Sequence, residues 1–261
     1  MDLRLRQICF VARDLAKVEE DLAAVFALSP CHRDPRIAAF GLRNVLMPVG
    51  SSFFEVVSPI SNGTTAGRYI DRRQGDGGYM TILDSGDLHR WRAHIAGLGV
   101  REAAFLDFDG FNSIQLHPKD TGGPLLEINH TINGEDVRGA YFPAGQDWLD
   151  HVRTERVTGI SAAEIQSDDP EGLSRRWGAI LRRDSPVRVG ASWQVAVDNA
   201  RLRFVEARDG RGEGLGGIDL EVNDCAAILD AGARRGLPVQ DDMILVGGVR
   251  CYLRSETSSP R

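Results

Sequence analysis

The sequence predicts an α+β fold of four βαβββ units, paired into two open, curved sheets with helices outside. Two observations carry this reading. A strand-then-helix pattern with an Asp at the junction recurs along the chain. The spacing between copies is also constant: Asp14 to Asp87 is an offset of 73 residues and Glu55 to Glu127 one of 72. Repetition at a fixed period points to stacked or paired copies of one unit. Glycine supports it, with 29 of 261 residues, as a turn-rich β architecture requires.

The first unit opens with "RQICFVARDL". Its apolar run ends at Asp14, whose carboxylate is suited to cap the helix that follows. Leu15, Val18, Leu22 and Phe26 then share one helical face. Three strands are expected next, Ala38–Leu42, Asn44–Pro48 and Ser52–Val57, separated by Arg43 and the Gly50–Ser51 turn. The stretch "RYIDRRQGDGGYM" reads as a loop, either solvated or gating a cleft through Arg72 and Arg73. The second unit repeats strand, Asp87 cap, helix and the Gly97–Leu98–Gly99 stop, then "FNSIQLHP" and "GPLLEINHTI". After it, residues 133–156 fit no unit and read as a linker with some helix. Its Tyr141, Phe142 and Trp148 either pack across the halves or cover the first. The third unit starts at "GISAAEIQSDDP", capped by Asp168 or Asp169 with Pro170 in the first turn, and the fourth at "GGIDLEVNDC". The expected domains are therefore 1–132 and 157–258.

Composition excludes several classes. A net charge of -6 argues against a nucleic-acid surface. No run approaches the roughly 20 apolar residues of a membrane span. No signal peptide precedes the first charges, and "SETSSPR" carries no lipidation signal. Cys9, Cys31, Cys225 and Cys251 lack metal-ligand spacing and read as free thiols in a reducing cytoplasm. There is no nucleophile elbow or P-loop, and "GRGEGLGG" reads as a turn.

Strand alternation marks other candidates. Gln115 and His117 in "QLHP" either face the cleft, with His117 as a general base, or face the helices. Asp219 and Glu221 point to the second concave face, where Glu206 can join them. They bind a cation or pair with Arg203, Arg250 and Arg254.

The four units, with "FGLRNVLMPVGSSFFEVVSP", "GGYMTILDSGDL" and "LHPKDTGGPLLEINH", resemble the vicinal oxygen chelate superfamily of glyoxalase-like proteins. The resemblance covers nearly the whole chain and implies a small-molecule substrate. It implies one divalent metal (Mg, Mn, Ni or Zn) held in the cleft. At the matching positions stand Gln7, Glu55 and Glu127, with Met80 where a His is expected. Two carboxylates and an amide favour hard ions. The C-terminal half offers Ser161 or Ala162, Gly217, Glu206 and Tyr252–Arg254 at those positions, and no His follows His151. A two-His, one-carboxylate iron site cannot be built there, so ring-cleaving dioxygenase chemistry is not expected.

The implied function is a lyase, isomerase or epimerase that stabilises an enediolate, with Glu127 or His117 moving the proton and Tyr79, Met80, Met47 and Gln115 contacting substrate. The alternative is a non-catalytic binder whose cleft is lined by Met47, Tyr79, Met80 and Trp193. A third reading is a structural module with degenerate clefts. Pairing of the units within the chain or across a homodimer stays open.

Overall fold

The computed structural model describes residues 2–255. Residues 256–258 of the expected second domain, and the rest of the C-terminal tail, lie outside the described residues. The chain runs β1 (Arg4–Val11), α1 (Leu15–Phe26), β2 (Leu42–Val49), β3 (Ser52–Pro59), α2 (Thr65–Arg73), β4 (Gly77–Asp84), α3 (Leu88–Gly97), β5 (Glu102–Phe108), β6 (Phe111–Leu116), α4 (Pro118–Thr121) and β7 (Leu125–Thr131). It continues with β8 (Val157–Ser167), α5 (Pro170–Ile180), β9 (Val187–Val189), β10 (Ser192–Ala196), β11 (Arg201–Glu206), β12 (Gly214–Val222), α6 (Cys225–Arg234), β13 (Val239–Gln240), β14 (Met243–Val246) and β15 (Val249–Arg254). Two open sheets result, in the orders β2-β3-β1-β4-β7-β6-β5 and β13-β14-β15-β12-β8-β11-β10-β9. Units pair within the chain, through antiparallel β1–β4 and β8–β12.

The repeat is clearest at its helix caps. Asp14, Asp87, Asp169 and Asp224 each accept from the backbone amide three residues on, at 3.2, 3.2, 2.9 and 2.8 Å. The cap of the third unit is thus Asp169.

The first unit departs from the pattern. In place of the strand expected over Ala38–Leu42, Pro35–Phe40 form a 3-10 turn. Asp34 caps it, Pro35 presets its first turn, and Gly41 ends it at φ 71°. The first sheet consequently has seven strands and the second eight.

The helix-bearing faces of the two sheets meet in one apolar core. Phe10, Leu22, Phe54, Trp91, Trp177, Ile218 and Ile228 all belong to it. Trp177 Nε1 donates to Thr121 O at 3.2 Å, and His94 Nε2 lies 2.9 Å from Ala179 O, tying α3 and α4 to α5. Arg235 pairs with Asp21 at 2.6 Å, tying the end of α6 to α1. The sheets approach closely at Gly78, where a Cβ would sit 2.5 Å from Leu215 Cγ and 2.6 Å from its carbonyl oxygen.

The opposite face of the first sheet is covered at both ends. One cover is α2, where a loop was expected. Its Ala66, Tyr69 and Ile70 pack on Cys9, Val11, Val57, Tyr79, Met80 and Ile82. Arg73 is neither solvated nor a gate: it is 2% exposed and donates to the carbonyls of Arg211, Gly212 and Glu213. The other cover is the segment after β7, whose Tyr141, Ala144 and Trp148 pack on Leu46 and Phe53. These aromatics cover the first sheet rather than bridging the halves. Arg6 is enclosed there among Phe53, Tyr141 and Trp148, its guanidinium carbon 4.7 Å from the Tyr141 ring centroid.

Candidate functional site

Between the two covers lies a polar band, carried by the central strands β3-β1-β4-β7 and by β6. A register shift between Leu5 and Gln7 brings the successive residues Arg6 and Gln7 to the same face. Gln7 Nε2 donates to Glu55 Oε2 at 2.6 Å, and Asn44 Nδ2 donates to Glu55 Oε1 at 2.7 Å. Across the band, Gln115 Nε2 donates to Glu127 Oε2 at 3.0 Å and Asn129 Nδ2 approaches Glu127 Oε1 at 3.4 Å. The Tyr141 hydroxyl joins the two sides. It donates to Gln7 Oε1 at 3.0 Å and accepts from Asn129 Nδ2 at 3.3 Å. One hydrogen-bonded chain therefore runs Glu55–Gln7–Tyr141–Asn129–Glu127.

Both carboxyl groups are buried, Glu55 at 8% and Glu127 at 6% exposure. Burial pushes Glu127 up to about 7; the Glu55 charge adds to this, while hydrogen bonds from Gln115 and Asn129 oppose it. Burial also raises Glu55, against the hydrogen bonds from Asn44, Cys9 and Gln7. The Cys9 thiol beside Glu55 is fully buried and raised well above the ordinary thiol range by burial. Asn129 Oδ1 is buried without a partner, and the Ser113 hydroxyl lies near Glu127 without a well-formed hydrogen bond. Such unspent polar atoms in a buried band can receive an oxygenated ligand.

The donor set does not fit a divalent metal. Both Glu55 oxygens and the Gln7 oxygen already accept hydrogen bonds, and the partners facing both carboxylates are amide N–H groups, which repel a cation. Among the described residues, no cluster of three or more His, Cys, Asp or Glu is arranged to hold a metal ion. Gln7, Glu55 and Glu127 gather as expected, but as members of a hydrogen-bonded network.

Other expected site residues are placed differently. Met47 is fully buried in the core between the sheets, because it alternates with Leu46 and Pro48 on β2. Trp193 packs against that same core. Tyr79 and Met80 lie under α2, with the Tyr69 and Tyr79 rings 5.0 Å apart. His117 caps α4, its Nδ1 accepting from Lys119 N at 3.2 Å, and it makes no hydrogen bond to either carboxylate. Gln115 does reach Glu127. The residues that sequence reasoning missed are Asn44, Asn129 and Tyr141. Asn44 and Asn129 were legible: Asn44 lies on the face of Glu55, diagonally across β2–β3, and Asn129 two residues beyond Glu127. Tyr141 lies in the linker, where no periodicity fixes its direction.

The matching face of the second sheet is closed by its own charges. Arg203 pairs with Glu164 at 3.1 Å and Asp219 at 2.6 Å. Arg250 pairs with Glu164 at 2.9 Å, and Arg254 pairs with Asp242 at 2.8 Å and approaches Asp219 at 3.5 Å. Of the two readings for Asp219, pairing with arginines is the one observed. Glu206 is instead exposed beside Arg208.

Two open sheets of paired units, packed through their helix-bearing faces, are the vicinal oxygen chelate fold. A hypothetical protein from Staphylococcus aureus aligns over 98% of this chain and 100% of its own, with TM-score 0.68 and 11% identity. A triple mutant of 4-hydroxymandelate synthase from Streptomyces coelicolor aligns over 100% of this chain and 94% of its own, with TM-score 0.71 and 12% identity. At these identities the likeness is one of fold. No family profile and no curated protein sequence matches the chain significantly.

Proposed function

We propose that the chain is a small-molecule enzyme of the lyase, isomerase or epimerase type, acting beside a carbonyl in the polar band of the first sheet. The observation that carries this is Glu127, a buried carboxylate drawn up to about 7 and set beside unspent polar atoms. A base poised near neutrality suits removal of a proton from a carbon next to a carbonyl. In this reading Glu127 takes that proton, the C–H electron pair becomes a carbon–carbon double bond as the carbonyl π pair moves onto oxygen to give an enolate, and the proton returns to carbon in the product. The Ser113 hydroxyl donates to the oxygen as charge develops. The step draws on no metal, because the donor set above does not fit one. The free thiols agree with a reducing cytoplasm, and no described helix is long and apolar enough to cross a membrane.

A second reading, a non-catalytic binder, is favoured by one feature. Glu55 is fully satisfied by protein amides, as suits a structural carboxylate. The two readings separate by solvent deuterium incorporation into α-hydroxy ketones. The enzyme incorporates deuterium, and Glu127→Gln lowers the rate by about 10²–10⁴-fold with ligand affinity retained. Binding without exchange in the unmodified protein would leave the binder.

A further inference from the structure

Next to the polar band lies a groove unlike it. It is an open groove of about 500 Å³ between the 3-10 turn Pro35–Phe40 and the edge strand β5. Its lining includes Arg36, Ala39, Phe40, Leu106 and Phe108. Phe40 is 55% and Phe108 36% exposed, unusual for side chains of this size. Phe108 stacks on Phe111 and Phe142 at 6.4 and 6.2 Å, which fixes the groove's end wall.

The groove's cation is already paired. Arg36 pairs with Asp34 at 2.7 Å and lies over the Phe142 ring at 4.4 Å. Asp107 accepts a hydrogen bond from Asn112. Apart from the Asp107 carboxylate, what the groove offers a ligand is aromatic and aliphatic surface. The groove also joins the band through the sheet register. Leu106 is opposite Ser113, which is opposite Asn129. Ala104 is opposite Gln115, which is opposite Glu127. Direct cross-strand neighbours stand about 5 Å apart, so a molecule of modest length reaches from one region to the other.

We propose that the substrate is amphiphilic: its oxygenated head meets the band at Glu127, and an uncharged aromatic or short aliphatic tail lies between Phe40, Leu106 and Phe108. This rests on the proposed function and specifies its substrate class. The test compares hydroxyacetone, a head alone, with 2-hydroxyacetophenone, the same head carrying a phenyl ring, by NMR titration of the full chain. The phenyl compound is expected to bind about tenfold tighter or more, from apolar burial. Phe40→Ala, which removes an exposed wall, and Ala39→Trp, which fills the groove, should each erase most of that advantage while leaving the hydroxyacetone Kd unchanged. Equal affinity for the two compounds, or a phenyl advantage unmoved by both variants, would overturn the groove assignment and leave the chemistry at Glu127 standing. If neither compound perturbs the band, the proposed function fails and the substrate class fails with it.

Discussion

Glu127 is a carboxyl group held near the midpoint of its titration by what surrounds it. Burial favours its neutral form, and the folded chain therefore binds its proton more tightly than the unfolded chain does. The sign of the pH effect follows. Between an ordinary value of 4.5 and about 7 the native state keeps a proton that the unfolded state has lost, so stability falls as pH rises through this window. The penalty above it is about 3 kcal/mol. Glu127→Gln should accordingly unfold at higher temperature than the parent at pH 8 and at nearly the same temperature at pH 5, in thermal scans at both pH values. Base catalysis has the opposite slope, with activity rising through pH 7 as the carboxylate forms. Tyr141→Phe removes the hydroxyl between Gln7 and Asn129 while keeping the ring stacked 4.8 Å from Phe53. Two buried polar groups then lose a partner, and a loss of about 1–3 kcal/mol is expected in denaturant unfolding.

The elements show which local signals decide structure. The caps Asp14 and Asp87, and Asp169 as one of two candidates, were legible because capping needs only one side chain and the next turn of backbone; Asp224 in the fourth unit went unread. Replacing Asp224 or Asp87 by Ala should each cost about 1 kcal/mol in urea unfolding, with no change in the ligand affinity of the first sheet. The turn Pro35–Phe40 was misread because Ala38–Leu42 taken alone is apolar enough for a strand. The better signal flanked it: an Asp34–Pro35 start and a Gly41 stop. Helix α2 escaped because its sequence, TAGRYIDRR, is short and polar, and its stability comes from the few residues that pack on β1, β3 and β4. Gly78 carries a constraint invisible in any pattern. Its lack of a side chain lets β4 approach β12, so Gly78→Ala should destabilise by about 1–3 kcal/mol through overpacking, read from the same unfolding curves.

At the scale of the whole molecule, the repeat of the first two units follows from the offsets in the sequence, whereas the pairing of units within the chain and the distribution of function do not. Both sheets descend to one core, and Arg73 reaches from α2 to the carbonyls of residues 211–213. A single calorimetric unfolding transition is therefore expected, with both sheets melting together. The second sheet balances its inward arginines against Glu164 and Asp219, whereas the first leaves a carboxyl group perturbed beside an apolar groove. Sequence alternation could place charged residues on each face, but their pairing depends on neighbours brought together by the fold. The central claim, that the first sheet holds a proton-transferring carboxylate, is tested most directly by carbon-13 NMR titration of the glutamate side-chain carboxyls. A glutamate titrating near pH 7 in the parent and absent in Glu127→Gln is expected. A spectrum in which every glutamate titrates below about pH 5.5 would contradict it.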